Sequence, residues 1–374
     1  MRRDSLYGEP VLWSGRPKEV STPLVYRISA VVCAVSAAIA TASAVVVATA
    51  LAARPSALLA FAAWMSTLAL LLEYGPRWWR GQLEFTLTER HMVMRRGRLR
   101  RSIDTREISY ARIHWHPRQP GIGDLELVRA VPTGALRRRL SIMLHGLIAP
   151  DRVWAIMRGV TPTAPAGDGH RLLAQRLDDG ERVLWSAHPA PSWRMWLPTG
   201  ARSLGSIAVA LGIGGAAVVM SRQAVHSLRM VVAGGMSTAS TSFVALVVSL
   251  SLVVVLLLSA SMAVLYAVIV RPVRLGRRTR YLITDRRVLI QRGDEELHLD
   301  RSRIVDVIEA RADRGLSDIF LVLDGPHARA VAASGAFGEA EGQGLQPVLL
   351  RVADADVVQA ILQATIGRAI PRAA

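Results

Sequence analysis

Lysine is almost missing from this chain: Lys18 is the single lysine among 46 basic residues, and the rest are arginine. A GC-rich genome gives that bias as readily as chemistry does, so it carries no functional weight. Cysteine is just as scarce. Cys33 stands alone, and one thiol can neither close an internal disulfide nor build a cysteine metal site. Motifs that would carry chemistry are lacking too. The "GIGG" at 212–215 sits in an apolar run, without the strand–turn–helix setting of a phosphate loop. Ser141 and His145 are near neighbours, but no G-x-S-x-G motif surrounds either. His114 and His116 flank Trp115 and would share a strand face, yet no acidic or cysteine cluster accompanies them to complete a metal site. An ordinary surface pair is the simpler reading. No catalytic, cofactor or metal residue is assigned, and a non-enzymatic role is expected.

What is abundant is apolar bulk and positive charge: 51% hydrophobic residues with a formal net charge of +17. That combination suggests membrane spans joined to basic polar segments. Residues 28–53 and 55–72 hold no charged side chain, and neither do 203–221 and 230–270. A span needs about 20 apolar residues. The first two runs therefore read as a hairpin with its tip at Arg54 and Pro55. The last run is too long for one span and lacks a polar turn for two, so its helix is placed at 243–268, with "AGGMSTAST" left as loop. The row Ala208, Gly212, Ala216 would let helices approach closely. Of the basic residues, 43 fall in 1–27, 77–202 and 271–374, whereas the expected tips hold Arg54, Arg222 and Arg229. The positive-inside rule then predicts four spans in the plasma membrane with both termini cytoplasmic. No ionisable residue lies within the spans, so neither a proton relay nor a charge-lined pore is visible.

A short phrase is stated twice. "GEPVLWSGRP" (8–17) and "GERVLWSAHP" (180–189) agree at seven of ten positions. Each is followed by two spans, an arginine-rich collar and a strand-like segment. "FTLTERHMVMRRG" (85–97) aligns with "YLITDRRVLIQRG" (281–293), placing Thr88 on Thr284, Arg90 on Arg286 and Gly97 on Gly293. "GIGDLELV" (121–128) matches "GLSDIFLV" (315–322), and "APDRVWAIM" (149–157) loosely matches "DADVVQAIL" (354–362). One unit thus occurs twice in parallel order. Parallel order and only four spans argue against a secondary transporter. The period of two in "LEFTL", "RVLI" and "IFLVL" predicts half-buried strands. Val153, Ile156 and Met157, like Val358, Ile361 and Leu362, fall on one helical face, with Asp151 and Asp356 as expected caps.

The expected organisation is an N-terminal segment (1–27), a membrane hairpin (28–74), a β domain (77–159), a linker (160–179), the second GE-x-VLW segment (180–202), a second hairpin (203–270) and a second β domain (271–374). Each β domain should be a small sandwich closed by one terminal helix. Residues 81–159 and 277–370 should superimpose, with the Gly/Ala-rich insertion at 327–344 as a loop. The order GE-x-VLW, membrane hairpin, then "TLTER" or "ITDRRVLI" with glycine after the second strand resembles the bacterial pleckstrin-homology-like membrane proteins. That resemblance implies two PH-like modules beside transmembrane helices. It implies no particular ligand, and no residue here identifies a phosphoinositide pocket.

Three arginine clusters remain: "RRGRLRR" (95–101), "RRR" (137–139) and "RPVRLGRRTR" (271–280). As solvated collars they would only set topology, the favoured reading for 271–280. As a functional surface, Arg95, Arg96, Arg98, Arg100 and Arg101, with Arg274, Arg277 and Arg278, would attract anionic lipid headgroups at about 1 kcal/mol per residue. Nucleic acid ranks below lipid, because a membrane-tethered basic surface already faces lipid phosphate. Trp13 and Trp185 read either as interfacial anchors or, with Val11 and Leu12, as part of an edge strand of their own unit. The expectation is a membrane-anchored scaffold or adaptor contacting anionic lipid, a protein partner or a second copy of itself. A small transporter or channel component is the runner-up, and a membrane enzyme without a recognisable motif comes third.

Overall fold

The computed structural model describes residues 8–18, 22, 24–50, 54–129, 140–160, 173–190, 201–233, 241–311, 315–323, 330–331 and 348–369. Among them seven α-helices run α1 (Leu24–Ala50), α2 (Ser56–Gly81), α3 (Pro150–Met157), α4 (Ala201–Ala233), α5 (Thr241–Leu265), α6 (Arg271–Arg277) and α7 (Ala355–Ala369). The chain divides into two compact units. One is helical (Ser21–Trp79 and Arg194–Val273), and the other is built on strands (Met1–Val20, Arg80–Trp193 and Arg274–Ala374).

In the helical unit, four helices are long and apolar enough to cross a membrane. Their packing has the inverse of a soluble bundle's pattern. The buried positions are small, with Ala30, Ala37 and Ala44 in α1, Ala210 and Ala217 in α4 and Ser261 in α5, whereas Val31, Leu71, Leu211 and Met262 face outward. Large apolar residues outside and small ones inside suit helices whose solvent is lipid, where close backbone approach supplies the attraction. The approach of α4 to α5 runs along Ala210, Gly214 and Ala217, because the Ser261 hydroxyl donates to the Ala210 carbonyl at 2.7 Å. A Cβ on Gly214 would stand 3.1 Å from that hydroxyl. The expected row of Ala208, Gly212 and Ala216 is exposed instead, on the other side of the helix.

Helix ends differ from expectation in the same direction: they run longer. α4 continues through Arg222 and Arg229, the residues expected at a tip, because no proline or glycine interrupts the chain between Ala216 and Ala233. The expected loop "AGGMSTAST" lies, from 234 to 240, outside the described residues. α2 passes Pro76 and ends at Gly81, so Arg77 and Arg80 are helical. α5 enters a π turn at Tyr266–Val270 and then α6, with Pro272 in the first turn of α6. Pro272 has no N–H to give the preceding turn and its ring crowds that turn, which the wider π turn relieves.

The strand unit contains β1 (Val11–Gly15), β2 (Leu83–Thr88), β3 (His91–Arg96), β4 (Leu99–Asp104), β5 (Tyr110–Trp115), β6 (Ile122–Arg129), β7 (Leu140–Ile148), β8 (Val183–Ala187), β9 (Thr279–Thr284), β10 (Arg287–Arg292), β11 (Glu295–Asp300), β12 (Ile304–Arg311), β13 (Ser317–Leu323), β14 (Ala330–Val331) and β15 (Leu349–Val352). All pairings are antiparallel. The first sheet is β1-β2-β3-β4. The second, of seven strands, is β7-β6-β5-β11-β10-β9-β8, and the third joins β12 to β13, with β14 and β15 both on β13. Apart from β14, the insertion at 327–344 lies outside the described residues.

Two features depart from the expected pair of separate sandwiches. β11 of the second half pairs with β5 of the first, so one sheet runs through both. Tyr110 and Val128 of the first half also pack into the second half's core beside Leu297 and Leu299. The helices α3 and α7 pack on the two cores through Val153 and Trp154 and through Val358 and Leu362. Asp151 and Asp356 do not cap them. Both lie inside the first turn, and the residue before α3 is Ala149 in the left-handed region without a side-chain cap. A carboxylate there still favours the helix through its dipole.

Strand pairing also constrains the membrane helices. β1 precedes α1 and pairs with β2, which follows α2; β8 and β9 flank α4 and α5 in the same way. Hydrogen-bonded partners lie on one side of a bilayer. Each helix pair must therefore begin and end on the same side.

Candidate functional site

The repeated phrase is a latch. Glu9 accepts the Thr88 hydroxyl at 2.6 Å and lies 3.2 Å from the His91 imidazole. Glu181 accepts the Thr284 hydroxyl at 2.6 Å and takes a two-pronged bond from the Arg287 guanidinium at 2.9 and 2.8 Å. In both copies the threonine also accepts the amide three residues on, at 3.0 and 2.9 Å. The glutamate thus ties the edge strand to the β-hairpin turn that follows the helices. Burial opposes ionisation of Glu181, but Arg287 and Thr284 overcome it and hold the carboxyl below its usual range. Trp13 and Trp185 end matching register shifts that begin at Val11 and Val183, and they pack, half-buried, against the cores of their own halves.

Around the second latch lies the junction of the two halves, rich in buried charge. Arg112 on β5 pairs with Glu126 at 3.2 Å, Arg176 pairs with Glu296 on β11, and Arg158 pairs with Asp178 at 2.8 Å. The Arg176 guanidinium also lies over the Trp115 ring, 5.3 Å from its centre. His298 is enclosed by these groups. Burial first, then the charges of Arg287, Arg158 and Arg176, push its pKa well below the ordinary histidine value, so it is neutral. His114 is the opposite case. Burial lowers its pKa, but Glu126 and Glu295, each 3.7 Å away, raise it to about 9. A protonated His114 therefore bridges β6 and β11. These paired charges join strands; removing one partner of such a pair costs about 3–5 kcal/mol.

The basic hairpin between β3 and β4 is built differently. It turns at Gly97, whose φ of 54° is open to glycine at little cost. Arg95, Arg98 and Arg101 are exposed, and Arg96 and Arg100 half-exposed. Between them Leu99 is 71% exposed, the most exposed large apolar side chain of the chain's described residues. The corresponding hairpin of the second half reads Gln291, Arg292, Gly293, Asp294, Glu295 and Glu296. Its turn is occupied: a Cβ on Gly293 would meet the Leu275 side chain of α6 at 2.9 Å, whereas nothing lies within 4 Å of that position on Gly97. Two hairpins of one register thus differ in charge and in cover.

The remaining sequence candidates are distributed elsewhere. Arg274 and Arg277 are on α6 and Arg278 just after it, all exposed. Arg137, Arg138 and Arg139 lie outside the described residues. His116 and His145 both stand 3.2 Å from Asp124, which also accepts the Gly146 amide at 2.7 Å. Among the described residues no three His, Cys, Asp or Glu side chains are placed to hold a metal ion. Sequence reasoning missed Arg176, Arg287, Glu296 and His298, whose partners are distant in sequence; the repeated Glu of GE-x-VLW was the one signal available. No family model, curated protein or solved structure matches the chain.

Proposed function

We propose that this protein is a non-enzymatic membrane scaffold that holds a joint pair of PH-like modules at the inner face of the plasma membrane and touches anionic headgroups through the β3–β4 hairpin. The observation carrying the reading is the hairpin tip, where an exposed leucine is ringed by five arginines. Arginine attracts lipid phosphate, and a leucine beside it can enter the acyl boundary, as in other interfacial segments. The acidic, covered hairpin of the second half supports the assignment of the contact to the first. The charge count of 43 basic residues in the polar segments against three elsewhere supports the cytoplasmic side.

The test uses the full chain in liposomes, with Cys33→Ser and a bilayer-sensitive fluorophore on Leu99→Cys. In vesicles containing phosphatidylglycerol, brominated acyl chains should quench the probe, and quenching should fade as salt rises, because such attraction decays over about 8 Å at physiological ionic strength. Replacing Arg95, Arg96, Arg98, Arg100 and Arg101 by glutamine should reduce it to the level seen in neutral phosphatidylcholine vesicles. Equal quenching in neutral and anionic vesicles would overturn the lipid role and leave the cluster as a solvated face.

A further inference from the structure

The two latches share a glutamate, a threonine and a turn, but not the base that closes them. In each half the glutamate takes the threonine hydroxyl at 2.6 Å, and the residue three positions after that threonine completes the clasp. In the second half that residue is Arg287, and in the first it is His91. The acidic surroundings are repeated. Asp300 on β11 stands across the ladder from Arg287, and Asp104 on β4 stands across it from His91. Directly opposed residues of an antiparallel pair share one face of the sheet. His91 is thus faced by Glu9 from the segment entering β1 and by Asp104 from β4, with Glu89 and Arg90 beside it in its own turn. Exposure separates the copies. The Glu181 and Arg287 side chains are 0% and 3% exposed, whereas those of Glu9 and His91 are 18% and 23% exposed. Solvent protons reach the first latch more readily.

We infer that the Glu9–His91 latch is a pH-dependent clasp on β1, tightened when the imidazole takes up a proton, whereas the Glu181–Arg287 latch holds β8 with a fixed charge. An arginine keeps its charge throughout the range a folded protein tolerates, and a histidine changes its charge between about pH 5 and 8. The neutral ring has one N–H to donate. The imidazolium adds a full charge between two carboxylates, which attract it. Glu9 stays ionised across that interval, because the Thr88 hydroxyl and, after it, His91 hold its carboxyl below the usual range against the opposing effect of burial. The attraction is therefore complete at the acidic end and is lost as pH rises and the ring gives up its proton. The effect falls on one place. From β1 the chain passes Lys18, whose amide donates to the Gly146 carbonyl at 2.9 Å, and enters α1; β8 precedes α4 in the same way. A fall in pH around the strand unit thus tightens the strand that leads into the first helix pair and leaves the other as it was. This regulation does not rest on the lipid contact proposed above.

Hydrogen exchange of the full chain in nanodiscs, read by mass spectrometry from about pH 5.5 to 8 and corrected for the intrinsic pH dependence of exchange, tests this with a control in the same molecule. Peptides covering β1 should lose protection about threefold to fivefold from the acidic end to the alkaline, the worth of one ion pair near a protein surface. Peptides covering β8 should not change. His91→Arg should keep β1 at its low-pH protection throughout, and His91→Gln should keep it at its high-pH protection throughout. Two further histidines stand near the same tether: His116 and His145 flank Asp124, which holds the Gly146 amide. Replacing both by glutamine should leave the response of β1 in place. Constant protection of β1 across the range, an equal loss in β1 and β8, or a response that survives His91→Arg would overturn the inference.

Discussion

Asp124 and Asp318 do the same thing at corresponding places, and the residues they serve differ. Asp124 accepts the amide of Gly146 and Asp318 that of Arg351, both at 2.7 Å. Gly146 and Arg351 both have positive φ, 62° and 53°. Glycine adopts that conformation freely; an arginine in it is strained by about 1–2 kcal/mol. Arg351→Gly should therefore raise stability by a few tenths to about 1 kcal/mol, the relief of strain being partly offset by the entropy glycine loses on folding. Gly146→Ala should lower it by a similar amount. Guanidinium chloride unfolding of both variants in detergent checks the opposite signs; two losses would mean that the Arg351 side chain contributes more than its backbone costs. The aspartates were legible in the sequence as part of "GIGD" and "GLSD". Their partners were not, because they lie many residues away and are glycine in one half and arginine in the other.

At the scale of elements, strands and terminal helices followed from period, and the hairpin turns from their polar breaks. The junction of β5 with β11 did not, since two strands so distant in sequence, with His298 opposite Ala111, carry no shared pattern that marks them as neighbours. Only afterwards do Arg112 and His114 on one, and Glu295 and Glu296 on the other, make sense as complementary edges. The overlong α4 was missed for a related reason: two arginines look like a turn, but charge alone does not end a helix without a breaker. The junction gives a pH prediction. His114 has its pKa raised to about 9 by Glu126 and Glu295 against the effect of burial. The bridge's contribution is thus complete below about 6.5, the ordinary histidine value, and is lost as pH climbs through 9. Thermal unfolding followed by tryptophan fluorescence between pH 6 and 10 should have a midpoint that falls across the upper half of that range. His114→Gln should start lower and change less over the same interval. Parallel curves for the two proteins would mean that the imidazolium does not hold the seam.

For the molecule as a whole, four helices are long and apolar enough to cross a membrane, and we propose that both helix pairs anchor one strand unit on its cytoplasmic side. Hydropathy marks the four helices, and the distribution of basic residues is the ground for proposing that side. The pairing of β1 with β2 and of β8 with β9 adds a condition neither could supply, because it requires the segments before and after each helix pair to share a compartment. Single cysteines in a Cys33→Ser background, probed with an impermeant maleimide in intact cells and then after lysis, test all of this together. Positions 12, 99 and 184 should react only after lysis, and positions 54 and 226 already in intact cells. Reaction of position 99 from outside, or positions 12 and 99 on opposite sides, would contradict the account.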